Sequence, residues 1–342
     1  MHMADALVAP AVAAAMYGAT AVTIGVCAKT LRKDAATAKL PTMAVASALV
    51  FAGQMINYTI PGTGSSGHLC GGVLLSALLG PQAGFLSMVV ILAIQCLFFA
   101  DGGLLALGAN IWNMAFYGCF VGYYLIWRPI LRGRLTPRVK IILASILACV
   151  VTLQLGAFSV VLETSLSGIT ELPFGAFLAV MQPIHLAIGF VEGLITAAVL
   201  LFVYEARPEL LQDAGGKEKG GRFSLKTTLI ILTAVAVLVG GGLSLLASSN
   251  PDGLEWSLFG NSDYRENMGL DEDSFGVTSD AADAAASVQD KTAILPDYAF
   301  ADNDSEVGTS VSGLVGAAIV AGVAVLICLL GGFFRRKKRT DG

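Results

Sequence analysis

Long apolar stretches, separated by short polar ones, dominate the chain of 342 residues. A helix needs about 17–25 mostly apolar residues to cross a bilayer, so eight of these stretches are candidate spans and a ninth is shorter. In chain order the nine are 8–28, 41–60, 69–79, 83–100, 104–127, 139–162, 174–204, 227–247 and 312–334. The pattern predicts an all-α, polytopic membrane protein with about nine transmembrane helices.

Composition supports this prediction, and the placement of charge adds an orientation. Hydrophobic residues make up 55% of the chain and charged residues only 13%, whereas soluble domains carry about 25% charged residues. Lysine and arginine cluster within 29–39, 128–140, 207–226 and 335–339. Basic loops stay in the cytoplasm, so we expect the N-terminus outside and the C-terminus inside. This topology requires residues 69–79 to cross as a short helix that is buried in protein or lines a cavity.

A long hydrophilic segment divides the chain into two units. Residues 250–311 hold 14 acidic and 2 basic residues, which predicts a loosely ordered outer loop. Lys217–Gly221 is rich in glycine and lysine and resembles a flexible linker. We therefore expect a seven-helix unit over 1–206, a cytoplasmic linker over 207–225, and a helix–outer loop–helix unit over 226–342.

Several classes of protein are disfavoured. Five of the six cysteines lie within apolar stretches without CxxC spacing, as expected of small buried side chains rather than disulfides or zinc ligands. The sequence lacks the GxSxG, HExxH and Walker A motifs. It therefore predicts no enzyme and no nucleic-acid partner, and any ATP hydrolysis belongs to a separate protein. No basic residue precedes Lys29, so we expect no cleaved signal peptide.

The first two residues can form a metal chelate. We expect Met1 to keep a free amine, because a large second residue hinders removal of the initiating methionine. That amine, the His2 backbone nitrogen and the His2 imidazole can then bind one ion through fused rings. Four nitrogens in a plane suit Ni(II) or Cu(II), and His68 can supply the fourth. The alternatives are a terminal histidine without function and a loop histidine that only forms hydrogen bonds.

Other polar residues are candidates for supporting roles. His68 follows the run Pro61–Gly67, in which Ser65 and Ser66 can turn or pack the backbone. His185 and Glu192 lie seven residues apart and share one helix face. An ionisable residue within a span favours a functional role, although a hydrogen bond between helices is the alternative. The same choice applies to Asn110.

Two acidic residues lie near the predicted outer face. Asp5 is a candidate partner for the N-terminal imidazole. Asp101, at an outer helix end, is expected to be a solvated cap rather than a ligand.

Four motifs resemble the CbiM/NikM family, the substrate-specific components of energy-coupling-factor transporters for cobalt and nickel, and a fifth resembles a partner of that family. In chain order they are Met1–Asp5, Thr63–His68 followed by Leu78–Pro81, Gly102–Asn110, His185–Thr196, and Asn250–Glu255 with the sequence NPDGLE. The last is similar to the signature of the small CbiN/NikN partner, so the chain resembles a fusion of two separable components. Asp101 departs from the family, in which many members carry a histidine at this position.

The resemblance implies a function and a ligand set. It implies capture of Co(II) or Ni(II) at the outer face of the cell membrane by the Met1 amine, the His2 backbone and imidazole nitrogens, and His68. The ion would be a transported substrate, with no cofactor, and the partners would be an ATPase and a coupling membrane subunit. A passive metal channel, a carrier for a non-metal substrate and a sensory membrane subunit remain as alternatives. Cobalt and nickel are not distinguished.

Overall fold

The computed structural model describes residues 1–34, 40–170, 173–214, 221–260, 279–300 and 306–340. In the first unit the helices are α1 (Pro10–Asp34), α2 (Leu40–Gln54), α3 (Gly72–Leu79), α4 (Pro81–Phe99), α5, α6 (Pro137–Ser167) and α7 (Phe174–Ala206). Helix α5 begins as an α-helix over Leu107–Ile111, widens to a π-helix over Trp112–Trp127 and ends at Arg128–Leu131. In the second unit they are α8 (Leu225–Gly241), α9 (Asp280–Thr292) and α10 (Glu306–Thr340).

Five described helical segments are long and apolar enough to cross a membrane. They are Pro10–Leu31, Pro81–Phe99, Pro137–Ser167, Phe174–Ala206 and Val307–Leu326. Helices α2 and α8 are apolar but shorter. The predominantly helical, multi-span architecture is therefore confirmed. The count of nine crossings and the orientation stay predictions.

The region between α2 and α4 contains a β-hairpin and a short helix. Strands β1 (Tyr58–Ile60) and β2 (Ser65–Gly67) pair antiparallel. The prediction of an all-α protein is therefore wrong for this short region. The hairpin forms because Gly62 and Gly64, at φ +79° and +74°, turn the chain through the left-handed region. Helix α3 is about 12 Å long, far less than a bilayer, and all eight of its residues are buried. As expected, it is a short helix buried in protein, but it begins at Gly72 rather than at residue 69.

Small residues bring α8 and α10 close to each other and bring α10 close to α2 of the first unit. Gly240 of α8 and Gly313 of α10 lie so close that a Cβ added to Gly313 would meet the Gly240 carbonyl oxygen at 2.5 Å. A Cβ added to Gly316 of α10 would meet the Phe51 ring at 2.1 Å. Helices α8 and α10 both pack against α2, and the two units form one continuous core.

The outer segment of the second unit is more ordered than its composition predicts. Helix α9 is N-capped by the Ser279 side chain, which accepts from the Ala282 N–H at 3.2 Å. Acidic residues in its first turn and Lys291 in its last turn stabilise the helix by interacting favourably with its dipole. The expectation of loose order is thus wrong for residues 279–300, whereas residues 261–278 and 301–305 lie outside the described part.

The predicted linker is packed where it is described. Gln212 donates from its backbone N–H to Ala77 O at 2.8 Å and from its side chain to Leu78 O at 3.1 Å. Residues 207–214 are therefore attached to the end of α3. The glycine- and lysine-rich stretch 215–220 lies outside the described residues. The cysteines of the first unit are all buried and free, as predicted: Cys27, Cys70, Cys96, Cys119 and Cys149.

Candidate metal site

The N-terminal residues are held inside the protein. The Asn110 side chain forms two hydrogen bonds with the Met3 backbone, at 2.7 Å to the N–H and 3.1 Å to the carbonyl. The Gly103 N–H donates to the same carbonyl at 2.9 Å. Chain ends are usually poorly ordered unless they are tied down. These bonds fix the position of Met1 and His2.

The His2 imidazole lies between two side chains at the end of α4. Its Nδ1 is 3.1 Å from Asp101 Oδ1 and its Nε2 is 3.3 Å from Gln95 Oε1. Asp5 is the predicted partner of this ring. Its carboxylate instead accepts from the Ala106 N–H at 3.0 Å. Burial lowers the pKa of His2 despite the opposing charge of Asp101. The imidazole is therefore neutral near pH 7.

His68 lies in the loop between β2 and α3 and faces His2. The two imidazole rings stack with centroids 5.5 Å apart and planes 21° apart. His68 Nδ1 is 3.1 Å from the Leu69 carbonyl, which can only accept, so Nε2 keeps its lone pair. Burial, the Met1 amine and His2 together lower the pKa of His68 to about 4. Both imidazoles are thus available as neutral ligands.

The amine of Met1 forms an ion pair with a residue of the second unit. Its nitrogen is 2.5 Å from Asp252 Oδ2, and the two side chains are only 6% and 16% exposed. Burial alone would raise the pKa of Asp252, but the Met1 ammonium and His68 hold it well below its usual range. A carboxylate from NPDGLE therefore contacts one of the nitrogens predicted to bind metal.

Backbone bonds attach the NPDGLE segment to the hairpin. The Ser66 N–H donates to Pro251 O at 2.8 Å, and the Ser66 hydroxyl donates to Asn250 O at 2.8 Å. Asp252 also caps the short helix Gly253–Glu255 by accepting from the Leu254 and Glu255 N–H groups. Ser65 is fully buried and pairs with the Thr63 hydroxyl at 2.8 Å. Ser66 therefore attaches the second unit, and Ser65 stabilises the hairpin turn.

A small cavity lies between these elements. Its volume is about 20 Å³, and its walls include Met1, His68, Cys70, His185 and Asp252. A void of this size holds about one water molecule or one ion. Among the described residues, no three His, Cys, Asp or Glu side chains converge as a metal cluster. A metal site here would therefore need main-chain or terminal nitrogens.

His185 and Glu192 of α7 are both buried, but only one of them reaches the cavity. His185 lines it, whereas Glu192 accepts from the Gly71 N–H at 2.9 Å at the start of α3. Glu192 therefore positions the short helix.

Comparisons with known proteins identify the family of this chain. Residues 2–210 match the profile of CbiM, described as the cobalt uptake substrate-specific transmembrane region, and residues 226–332 match the PDGLE domain. The chain belongs to the CbiM family. A putative fused nickel transport protein NikMN of Archaeoglobus fulgidus is 34% identical over 94% of this chain and 95% of its own length.

Two further relatives of the CbiM-type unit match only part of the chain. The cobalt transport protein CbiM of Sorangium cellulosum is 33% identical over 50% of this chain and 76% of its own length. A crystal structure of a truncated transition metal transporter has a TM-score of 0.54 and 33% identity, and covers 60% of this chain and 99% of that one. The CbiM-family protein described here is thus a multi-pass membrane protein fused to a PDGLE domain.

Proposed function

We propose that this protein is the substrate-binding component of an ATP-driven uptake transporter for Co(II) or Ni(II). The observation that carries the proposal is the proximity of Met1, His2 and His68: the two imidazoles stack, and Met1 and His68 line one small cavity. Their ligand atoms are the terminal amine, the His2 backbone nitrogen, the His2 imidazole and the His68 imidazole. Two of these four nitrogens come from the main chain.

Binding would require two of these contacts to change. His2 Nδ1 is the ring nitrogen that can close a six-membered ring with the His2 backbone nitrogen, and it now faces Asp101. The amine must also lose a proton that Asp252 stabilises. An ion entering the site would replace the ammonium beside Asp252, so the carboxylate would face a positive charge in both states.

The predicted transport cycle depends on other proteins. Of the residues that the structure describes, none forms a nucleotide-binding loop of the Walker type. The ATPase and the coupling membrane subunit therefore belong to separate chains in this proposal. The domain boundaries at 206 and 226 also stay proposals; α7 ends at Ala206 and α8 begins at Leu225.

Uptake of radiolabelled nickel into cells or vesicles containing the whole transporter tests the proposal. We expect uptake to require ATP. We also expect His68→Gln to abolish uptake, while Thr63→Val, in the hairpin that precedes His68, retains most of it. A passive channel would conduct nickel without ATP. A carrier for a non-metal substrate would tolerate the loss of His2 and His68. Either result would contradict the proposal.

A further inference from the structure

The Asp101 carboxylate joins the proposed ligand His2 to the outer segment of the second unit. Its Oδ1 lies 3.1 Å from His2 Nδ1, and its Oδ2 accepts a hydrogen bond from the Tyr298 hydroxyl at 2.5 Å. Because a carboxylate only accepts hydrogen bonds, Nδ1 of the neutral ring carries the hydrogen. Each carboxylate oxygen thus has its own partner, and Tyr298 occupies the one that His2 does not.

The backbone holds Asp101 and Tyr298 in place. Asp101 lies between Ala100 and Gly102, which are at φ +54° and +78°. Tyr298 is itself at φ +61°, and its ring stacks on Phe99 with centroids 4.9 Å apart and planes 24° apart. Left-handed backbone is uncommon for residues other than glycine, costs energy and clusters at functional sites. Turns on both sides therefore direct the hydroxyl and the carboxylate at each other.

Further bonds attach the outer segment to the end of α4. The Ile294 N–H donates to Phe98 O at 2.9 Å, and the Gln289 side chain donates to Gly102 O at 2.9 Å. The segment is thus bound at several points to the loop that carries Asp101. Loss of a single hydroxyl should therefore leave it attached.

A bond from His2 to Asp101 and a bond from His2 to an ion exclude each other. Nδ1 is the ring nitrogen that can close a chelate ring with the His2 backbone nitrogen, and a nitrogen bound to metal has no hydrogen to donate. Among the described residues that line the cavity are Met1 and His68, but not His2. A contact that exists only while Nδ1 is unbound reduces the fraction of protein that can bind, and so weakens the apparent affinity.

We propose that Tyr298 is a positioning residue that acts through Asp101 to hold the His2 ring in an orientation that opposes metal binding. This inference rests on the proposed function and gives the outer segment a regulatory role in it, because the segment sets how readily the site takes up its ion. Without the hydroxyl, the carboxylate of Asp101, which is 24% exposed, can turn toward solvent and release Nδ1, while its charge stays near the site.

Nickel binding to the purified full chain, together with NMR of isotope-labelled histidine, tests this proposal. The chain has only three histidines, so each imidazole can be assigned. Without added metal, we expect His2 of the wild type to be the Nδ1–H tautomer and Tyr298→Phe to populate both tautomers. We expect Tyr298→Phe to lower the Kd for Ni(II) by about fivefold or more, the low end of typical coupling between two sites.

Tyr17→Phe is the matched control. The Tyr17 hydroxyl donates to Leu104 O in the same loop rather than to Asp101, so this variant should match the wild type in affinity and tautomer. A Kd of Tyr298→Phe that is higher than that of Tyr17→Phe, or within about twofold of it, would overturn the role of Tyr298. An unchanged His2 tautomer in Tyr298→Phe would also overturn it.

The wild type alone decides the question if a variant does not fold, because an Nε2–H tautomer of His2 would contradict the bond to Asp101. Each of these results leaves the proposed function intact. Failure of the proposed function has a different signature, because the wild type would then not bind nickel stoichiometrically, and this inference would fail with it.

Discussion

The ion pair between the two units makes a quantitative prediction about the Met1 amine. Asp252→Asn removes the charge that holds this amine but keeps a side chain that caps the Gly253–Glu255 helix well. Breaking a buried pair costs about 3–5 kcal/mol, and the 16% exposure of Asp252 favours the lower end. Because 1.4 kcal/mol is a factor of ten, the open state of the N-terminus should be populated about 100-fold more.

Acylation of the amine measures this opening. Metal-free protein is treated with an amine-reactive ester at neutral pH, and modification of Met1 is followed by mass spectrometry against the exposed Lys226. We expect Met1 to react about 100-fold faster in Asp252→Asn, while Lys226 is unchanged. Glu255→Gln is the control. It keeps Asp252 and alters only the side chain that accepts from the Asp252 N–H at 3.1 Å. Equal Met1 rates in the wild type and Asp252→Asn would refute the reasoning.

Three further predictions concern the groups around the site. Asn110→Ala leaves the buried Met3 N–H unpaired, while the Met3 carbonyl keeps its bond from the Gly103 N–H. The free energy of unfolding should therefore fall by about 1–3 kcal/mol; unchanged denaturant midpoints in detergent would contradict this. Gln289→Ala removes the bonds of α9 to Gly102 O and Cys96 O, at 2.9 and 3.0 Å. Limited proteolysis within 279–300 should then be faster, and an unchanged cleavage rate would argue against the attachment. Nickel binding should release one amine and one backbone proton, so log Kd should change by about two per pH unit where the amine is held protonated beside Asp252. Because the pKa of His68 is only about 4, its imidazole should add little to this slope above pH 5, and a flat profile from pH 7.5 to 5.5 would exclude the nitrogen chelate.

Apolar pattern and charge predicted most of the helices. Long uninterrupted apolar stretches such as 139–162 and 174–204 leave little choice in a bilayer, and both became helices. The short helix α3 followed from the parity of basic clusters. The hairpin did not, because Tyr58–Ile60 continues the apolar stretch of α2 and its pairing with Ser65–Gly67 depends on two glycines in the left-handed region.

Only part of the candidate site could be predicted from the sequence. His2 and His68 could be nominated because histidines are rare in this chain and both fall on one predicted face. The partner of His2 could not be predicted. Asp5 is close to His2 in the sequence, whereas Asp101 is close to it only in the folded chain, where the end of α4 meets the N-terminus. The departure from the family at Asp101 was the one available signal. The contact between Met1 and Asp252 joins residues 251 positions apart, and no local pattern predicts it.

Binding of Ni(II) and Co(II) to purified protein with one residue added before Met1 tests the central claim most directly. The addition moves the free amine out of chelating reach without altering any side chain of the site. We predict that stoichiometric binding to the protein that begins at Met1 is lost in the extended form. The metal that binds more tightly to the protein that begins at Met1 then indicates the substrate. Equal affinity of the two forms would contradict the account and exclude the Met1 amine as a ligand.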